Sequence, residues 1–453
     1  MKPGQGPGYV DQQTGAHIGE NTTYPEFEAT RPTWHQMPSA VQISAASNIT
    51  FEDCSFTQLG GGGIGIGNDP NAHISGVGLG VSHITIRNGY FTQVQGNSIT
   101  AGGVQADAHH PPDPRMVNSH INIEGNIFFN NSALYSSTVA IFVSYVQNST
   151  ILHNDISEAP YSGICHGYGW GSNDAGGSDE YRNRGLYQYQ PVYDTDTTSK
   201  NNLIQGNLIH GYGRSHTDLG AMYTLARSSG TLLTENYVFD STIGFGIYPD
   251  EASRNMTYSN NVCFSDGPWY AANDWSPDLH TGENVIIDNW GKAGDDTLVG
   301  QPDGTGRRGN TFLRNYVVDS LSEVSAAGQR VAYRAGVLPG NRSDRQVTND
   351  ENLADGYISL GPSDDGTLIA VNVTNFDDID FKSVIFEVNT QGGMDLEPVD
   401  TPTSIPADSF AVATYRLDGG SGIVDAKASV SYENPRTGQS QTMSVSGVVE
   451  LDG

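Results

Sequence analysis

Three carboxylates close or open two similar phrases, Asp218-Leu-Gly-Ala-Met-Tyr223-Thr and Gly244-Phe-Gly-Ile-Tyr248-Pro-Asp250-Glu251. Two acids held a short distance apart can run proton chemistry. One must stay protonated to donate to a leaving oxygen, and the other must stay ionised to act as nucleophile or to activate water. Residue types alone do not assign those roles. Asp218 also reads as an Asx turn before Gly220, and Asp250 with Glu251 as an exposed turn after Pro249. Two adjacent carboxylates behind a strand rich in apolar groups favour the chemical reading.

Polar and aromatic groups that could hold a substrate gather around these phrases. Tyr223 and Tyr248 lie inside them, and Arg214 and His216 occupy a short insertion before Asp218, where they could orient a substrate or tune a pKa. His166 ends the phrase Tyr161-Ser-Gly-Ile-Cys-His and opens a long loop containing Tyr168 and Trp170. It reads either as a sugar-hydroxyl contact or as a turn histidine. His109 and His110 follow Asp107 and are metal-ligand types. Neighbouring side chains on a strand point to opposite sides and no third ligand has a readable spacing, so glycan contact or loop structure is expected of them and no metal or cofactor is.

The elements that must position these groups announce themselves by repetition. A short run of β-formers ending on Asn or Asp recurs as Ile49–Asp53, Ile84–Asn88, Asn122–Asn126, Thr150–Asn154, Leu203–Asn207, Leu232–Asn236, Met256–Asn260, Val285–Asn289 and Thr311–Asn315. Steps such as 28 residues from Asn126 to Asn154 and 29 from Asn207 to Asn236 form a solenoid period. Alternation marks short strands, and the closing Asn can bond the backbone of the next coil, building a ladder. The expected fold class is all-β: a right-handed parallel β-helix. Asn88, Asn126, Asn154, Asn207, Asn236, Asn260, Asn289 and Asn315 are predicted to stack along one edge. Gly163, Ala221 and Gly246 should share a column, bringing Asp218 and Asp250 within one or two rungs. With strands about 4.8 Å apart, that falls in the range of roughly 5 to 9.5 Å used by paired acids in glycoside hydrolysis. Overlong steps, 53 residues from Asn154 to Asn207 and 38 from Asn88 to Asn126, locate insertions over the surface.

Near residue 340 the Asn phrase disappears, and two-residue alternation with Gly, Pro and Asp turns reads as a small β-sandwich. The organisation expected is an irregular segment over 1–40, a catalytic β-helix over 41–340 and an accessory sandwich over 341–453.

These phrases resemble those of right-handed β-helix glycoside hydrolases, and are similar to glycoside hydrolase family 141 and its fungal relatives. The resemblance rests on Pro160-Tyr-Ser-Gly-Ile, Gly167-Tyr-Gly-Trp170, Asp218-Leu-Gly-Ala-Met-Tyr-Thr, Gly246-Ile-Tyr-Pro-Asp250-Glu251-Ala-Ser and the Gly102-Gly stretch, and spans about residues 40 to 320. It implies catalysis by two carboxylates, falling by motif on Asp218 and on Asp250 or Glu251. The leading coils are shorter than such enzymes have. Polygalacturonase signatures are missing, and no Lys/Arg pair of the alginate-lyase type is evident.

Composition bounds the partners. The 453-residue chain carries 22 Lys and Arg against 51 Asp and Glu, a net charge of −29. That excludes a phosphate-binding role towards nucleic acid and favours a neutral over a polyanionic glycan as poly- or oligosaccharide substrate. Cys54, Cys165 and Cys263 are an odd set without CxxC spacing, so no disulfide framework is read. No apolar run is long enough to span a membrane. Seven Asn-X-Ser/Thr sequons, at Asn21, Asn48, Asn130, Asn148, Asn255, Asn341 and Asn372, suit a secreted glycoprotein, here without its leader. A polysaccharide lyase and a non-catalytic glycan-binding solenoid are the competing readings.

Overall fold

The computed structural model describes residues 9–12, 15–18, 35–69, 80–104, 108–167, 195–242, 244–273, 281–292, 297–299, 309–338, 354–363, 366–375, 380–390, 395–407, 409–418, 422–433 and 440–451. The chain forms two compact units, Met1–Gln346 and Val347–Gly453.

The first unit is a parallel β-helix built from three long sheets. Sheet A runs through Ser39–Ile43, Gly62–Ile66, Ile99–Ala101, Ile141–Val143, Ile164–His166, Gly220–Thr224 and Phe245–Pro249. Sheet B takes the recurring phrases in order, from Ser47–Glu52 to Thr311–Leu313, and sheet C takes the strands that follow them, from Ser55–Leu59 to Tyr316–Val317. All nine phrases read from the sequence form one continuous run of nine parallel strands. Within sheet A, Ile164 pairs with Met222 and Met222 with Ile247, so Gly163, Ala221 and Gly246 do fall in one column.

Sheet B meets sheet C at a two-residue corner. Its first residue takes left-handed backbone angles, as at Asn88, Gly125, His153, Gly206, Glu235, Asn260, Asp288 and Arg314. Its second is the ladder residue. Asn126, Asn154, Asn207, Asn236, Asn261, Asn289 and Asn315 each present Oδ1 to the backbone N–H of the residue one coil earlier, at 2.8–3.1 Å. All seven are joined amide to amide by six bonds, from Asn126 bonding Asn154 onward to Asn289 bonding Asn315. Two expected members are corrected. Asn88 and Asn260 occupy the left-handed position, and the ladder places belong to Gly89 and Asn261.

Aliphatic columns fill the interior, among them Ile86, Ile123, Ile151, Ile204, Leu233 and Ile286 of sheet B, all buried. Phe56, Phe91 and Phe128 stack from coil to coil with ring centroids 4.8 Å apart. From Gly62–Ile66 onward the strands of sheet A are buried along almost their whole length. Cys165 and Cys263 are buried and Cys54 half-buried, all three as free thiols.

The segment expected to be irregular before residue 41 holds a three-stranded antiparallel sheet, Tyr9–Gln12, Gly15–Ile18 and His35–Gln36. His17 pairs with Gln36 across intervening chain, a contact that a coil repeat cannot foretell. Among the described residues the second unit has two four-stranded antiparallel sheets. Ile369, Val371, Val373 and Ala413 of one and Phe381, Ala428 and Val430 of the other are buried, leaving alternate residues outside, and Tyr415 of the first bonds the Phe386 carbonyl of the second. No described helix is long and apolar enough to cross a membrane.

Candidate active site

Thr224 points into the solenoid, where its hydroxyl bonds the buried Tyr258. Strand neighbours face opposite ways. Tyr223 and its register partner Tyr248 in the next coil therefore face outward, with centroids 5.2 Å apart and planes 19° from parallel. These stacked tyrosines reach the two acids crosswise. Tyr248 donates to Asp218 Oδ1 at 3.0 Å, and Tyr223 donates to Asp250 Oδ2. Each acid is thus held by the coil that does not carry it.

The two acids sit in different surroundings. Asp218 is exposed, with left-handed backbone angles (φ 57°), and its carbonyl accepts from Tyr161. Asp250 is buried, 3% exposed, as are Tyr223 and Tyr248. It opens a tight turn closed by the Ser253 amide on the Asp250 carbonyl, which also accepts from Thr281. Burial, and then the negative charge of Asp218, push the Asp250 carboxyl up to about 6 against donors from Tyr223, the Glu251 amide and Asn273. Burial and the neighbouring acids drive the Tyr223 and Tyr248 hydroxyls far above their ordinary value, so both stay protonated donors.

Around this centre, Tyr161 meets Tyr223 edge-on at 6.3 Å and His216 at 6.0 Å, and His216 bonds the Ser136 hydroxyl at 2.7 Å. Glu251 is buried beside Asp250, and its carbonyl accepts from Ala226. Four expected residues are therefore brought together with the Asp218–Asp250 pair: Glu251, Tyr223, Tyr248 and, through Tyr161, His216 complete the group around those two acids. Four others go elsewhere. His166 is turned inward, 1% exposed, bonded to Ser228, and lines a small interior cavity with Ile123, Ile151 and Ile204, so burial pulls its imidazole down to about 4. That corrects its reading as a sugar contact. Arg214 pairs with Glu158 and Asp240 on the surface. His109 and His110 face each other, Nδ1 to Nδ1 at 2.8 Å, because 108–110 is a bend rather than a strand. Tyr168 and Trp170, with Asp107, lie outside the described residues, and so does most of the long insertion. Among the described residues no group of three or more His, Cys, Asp or Glu side chains is arranged to hold a metal.

Sequence reasoning missed Tyr161, Ser136 and Asn273. Asn273 Nδ2 donates to Asp250 Oδ1 at 2.7 Å. The pairing of Ile247 with Tyr270, continued along both strands, puts Asn273 level with Asp250 one coil on. That register was the one available signal.

Residues 14–175 match the family described as the right handed beta helix region. Together with the three parallel sheets, this makes the first unit a right-handed parallel β-helix. A solved structure titled "Glycoside hydrolase" is similar, at 23% identity with a TM-score of 0.47, over 68% of this chain and 42% of that one. The chain thus spans less than half of that protein's length. No curated protein is significantly similar in sequence.

Proposed function

We propose that the chain is a glycoside hydrolase in which Asp250 donates the proton and Asp218 is the ionised partner. The observation that carries this is the contrast between the acids, one buried and raised to about 6, the other exposed, both gripped by the same stacked tyrosines. Environments that push two neighbouring carboxyls apart assign acid and base. At mildly acidic pH Asp250 holds a proton for the glycosidic oxygen. The anomeric carbon is met by the Asp218 carboxylate, or by a water that it deprotonates. Tyr248 donates to Asp218 Oδ1 and holds that carboxyl in place.

The substrate class is a neutral poly- or oligosaccharide. At −29 the chain repels polyanions. Arg214, the described cation that a uronate-cleaving lyase would have used, is engaged by Glu158 and Asp240. Plant or fungal glycans and a secreted setting accord with the resemblance to family 141. The test is a screen of neutral and acidic glycans with wild type beside Asp218→Asn and Asp250→Asn. Each variant should lose hydrolysis by several orders of magnitude while retaining its fold. Full activity in both would sink the assignment.

A further inference from the structure

Resting on that acid-pair reading, we propose that Asn273 is a positioning residue that confines the Asp250 proton to Oδ2, so that Asp250 and Tyr223 act as one proton-donating unit. The two oxygens of this carboxyl have different neighbours. Oδ1 receives the Asn273 amide N–H at 2.7 Å, and an amide nitrogen donates but does not accept. A proton on Oδ1 would point at that N–H and forfeit the bond in a buried site, where a polar group left unpaired is costly. Oδ2 faces the Tyr223 hydroxyl, which can donate to the carboxylate or turn and accept from the acid. The Ser253 amide and the Thr281 hydroxyl, both donating to the Asp250 backbone carbonyl, hold the residue in place, so its oxygens keep their separate partners.

Tyr223 passes its hydroxyl proton to the glycosidic oxygen and takes the Oδ2 proton in return, or Oδ2 donates directly. The electrons of the breaking C–O bond stay on the leaving oxygen, the anomeric carbon takes its new bond from the Asp218 carboxylate or from a water that gives its proton to Asp218, and Asp250 is left as a carboxylate already facing the Asn273 and Glu251 N–H donors.

The experiment follows the Asp250 carboxyl by NMR in full chain labelled with carboxyl-¹³C aspartate, the signal being assigned by its loss in Asp250→Asn. Wild type, Asn273→Ala and Tyr223→Phe are titrated across the acidic and neutral range, with near-UV circular dichroism to check the fold. Asn273 donates to Oδ1 in both forms, but more strongly to the carboxylate, so Asn273→Ala should raise the Asp250 midpoint by about one unit, a tenfold change in proton affinity. Tyr223 donates to the carboxylate and turns to accept from the acid, so Tyr223→Phe takes a bond from each form and should move the midpoint less. It should nevertheless depress kcat, while in Asn273→Ala the alkaline limb of kcat/KM follows the shifted midpoint. An unmoved midpoint in folded Asn273→Ala, or a larger shift in Tyr223→Phe, overturns the proposal. Asn273→Leu takes the place of the alanine variant should that fail to fold. The titration needs no substrate, so an acid pair shown to be idle by active Asp218→Asn and Asp250→Asn would be told apart from a failed proton placement.

Discussion

Asp250 is a group whose charge the folded chain holds at a loss. Its ordinary value is 3.8, and burial with the Asp218 charge lifts it to about 6. The folded state therefore binds this proton more tightly than the unfolded chain does. The stability it contributes is fully present below about pH 4, and is lost as pH rises from there through about 6. A shift of that size corresponds to about 3 kcal/mol at most. We expect Asp250→Asn, which keeps the shape without the charge, to be more stable than wild type at pH 7 by about 1–3 kcal/mol, with the gap closing near pH 4. Urea unfolding at the two pH values measures it, and an equal gap at both would contradict the account. His166 has the opposite sign. It is a base pulled down to about 4 by burial, so its contribution is full above about 6.5 and is lost as pH falls towards 4. His166→Leu should thus gain on wild type as the solution is acidified across that window, read as the difference in midpoint between pH 7 and pH 5.

At the scale of elements, the corner between sheets B and C repeats one device, a left-handed residue followed by a buried ladder amide. Asn260 and Asn261 are adjacent and of one type, yet should respond differently. Asn261 bonds Asn289, the Asn236 amide and the Leu233 carbonyl, so Asn261→Ala strands buried polar groups and should cost about 1–3 kcal/mol. Asn260 holds φ at 53°, which glycine adopts without strain, so Asn260→Gly should be neutral or slightly stabilising. Thermal unfolding of the two variants separates them. The same pair shows what was legible in the sequence. Strand phrases, their period and the existence of a ladder could be read because each coil repeats the same alternation. The register slipped by one at Asn260 because two asparagines stand side by side, and at Asn88 because Gly89 occupies the ladder place without an amide. The acid pair was legible because both acids flank matching phrases of neighbouring coils. Tyr161 and Asn273 were not, since they join the acids across 57 and 23 residues of sequence through bonds that belong to no phrase. His166 was misread because strand alternation, followed one residue further, turns it into the interior.

At the scale of the whole molecule the dominant fact is charge. A chain at −29 repels itself, which keeps it soluble but works against compactness. Several exposed arginines are already spent on local acids, as in Arg314 with Asp288, Arg87 with Glu52 and Arg214 with Glu158 and Asp240. Such exposed pairs contribute little each, so they cannot offset the excess of acids. Raising ionic strength from about 0.01 to about 1 M shortens the screening length from about 30 to about 3 Å and should quench the surface repulsion. We therefore expect the unfolding temperature to rise with sodium chloride. Reductant should leave it unchanged, because the three cysteines are free thiols. The buried acid supplies the control. Asp250 is shielded from counterions, so the stability gained in Asp250→Asn at pH 7 should persist almost undiminished at high salt while the wild-type curve moves upward. Should salt instead erase the advantage of Asp250→Asn, the charge it removes would lie within reach of solvent ions, and the contrast between a buried donor and an exposed partner would fail with it.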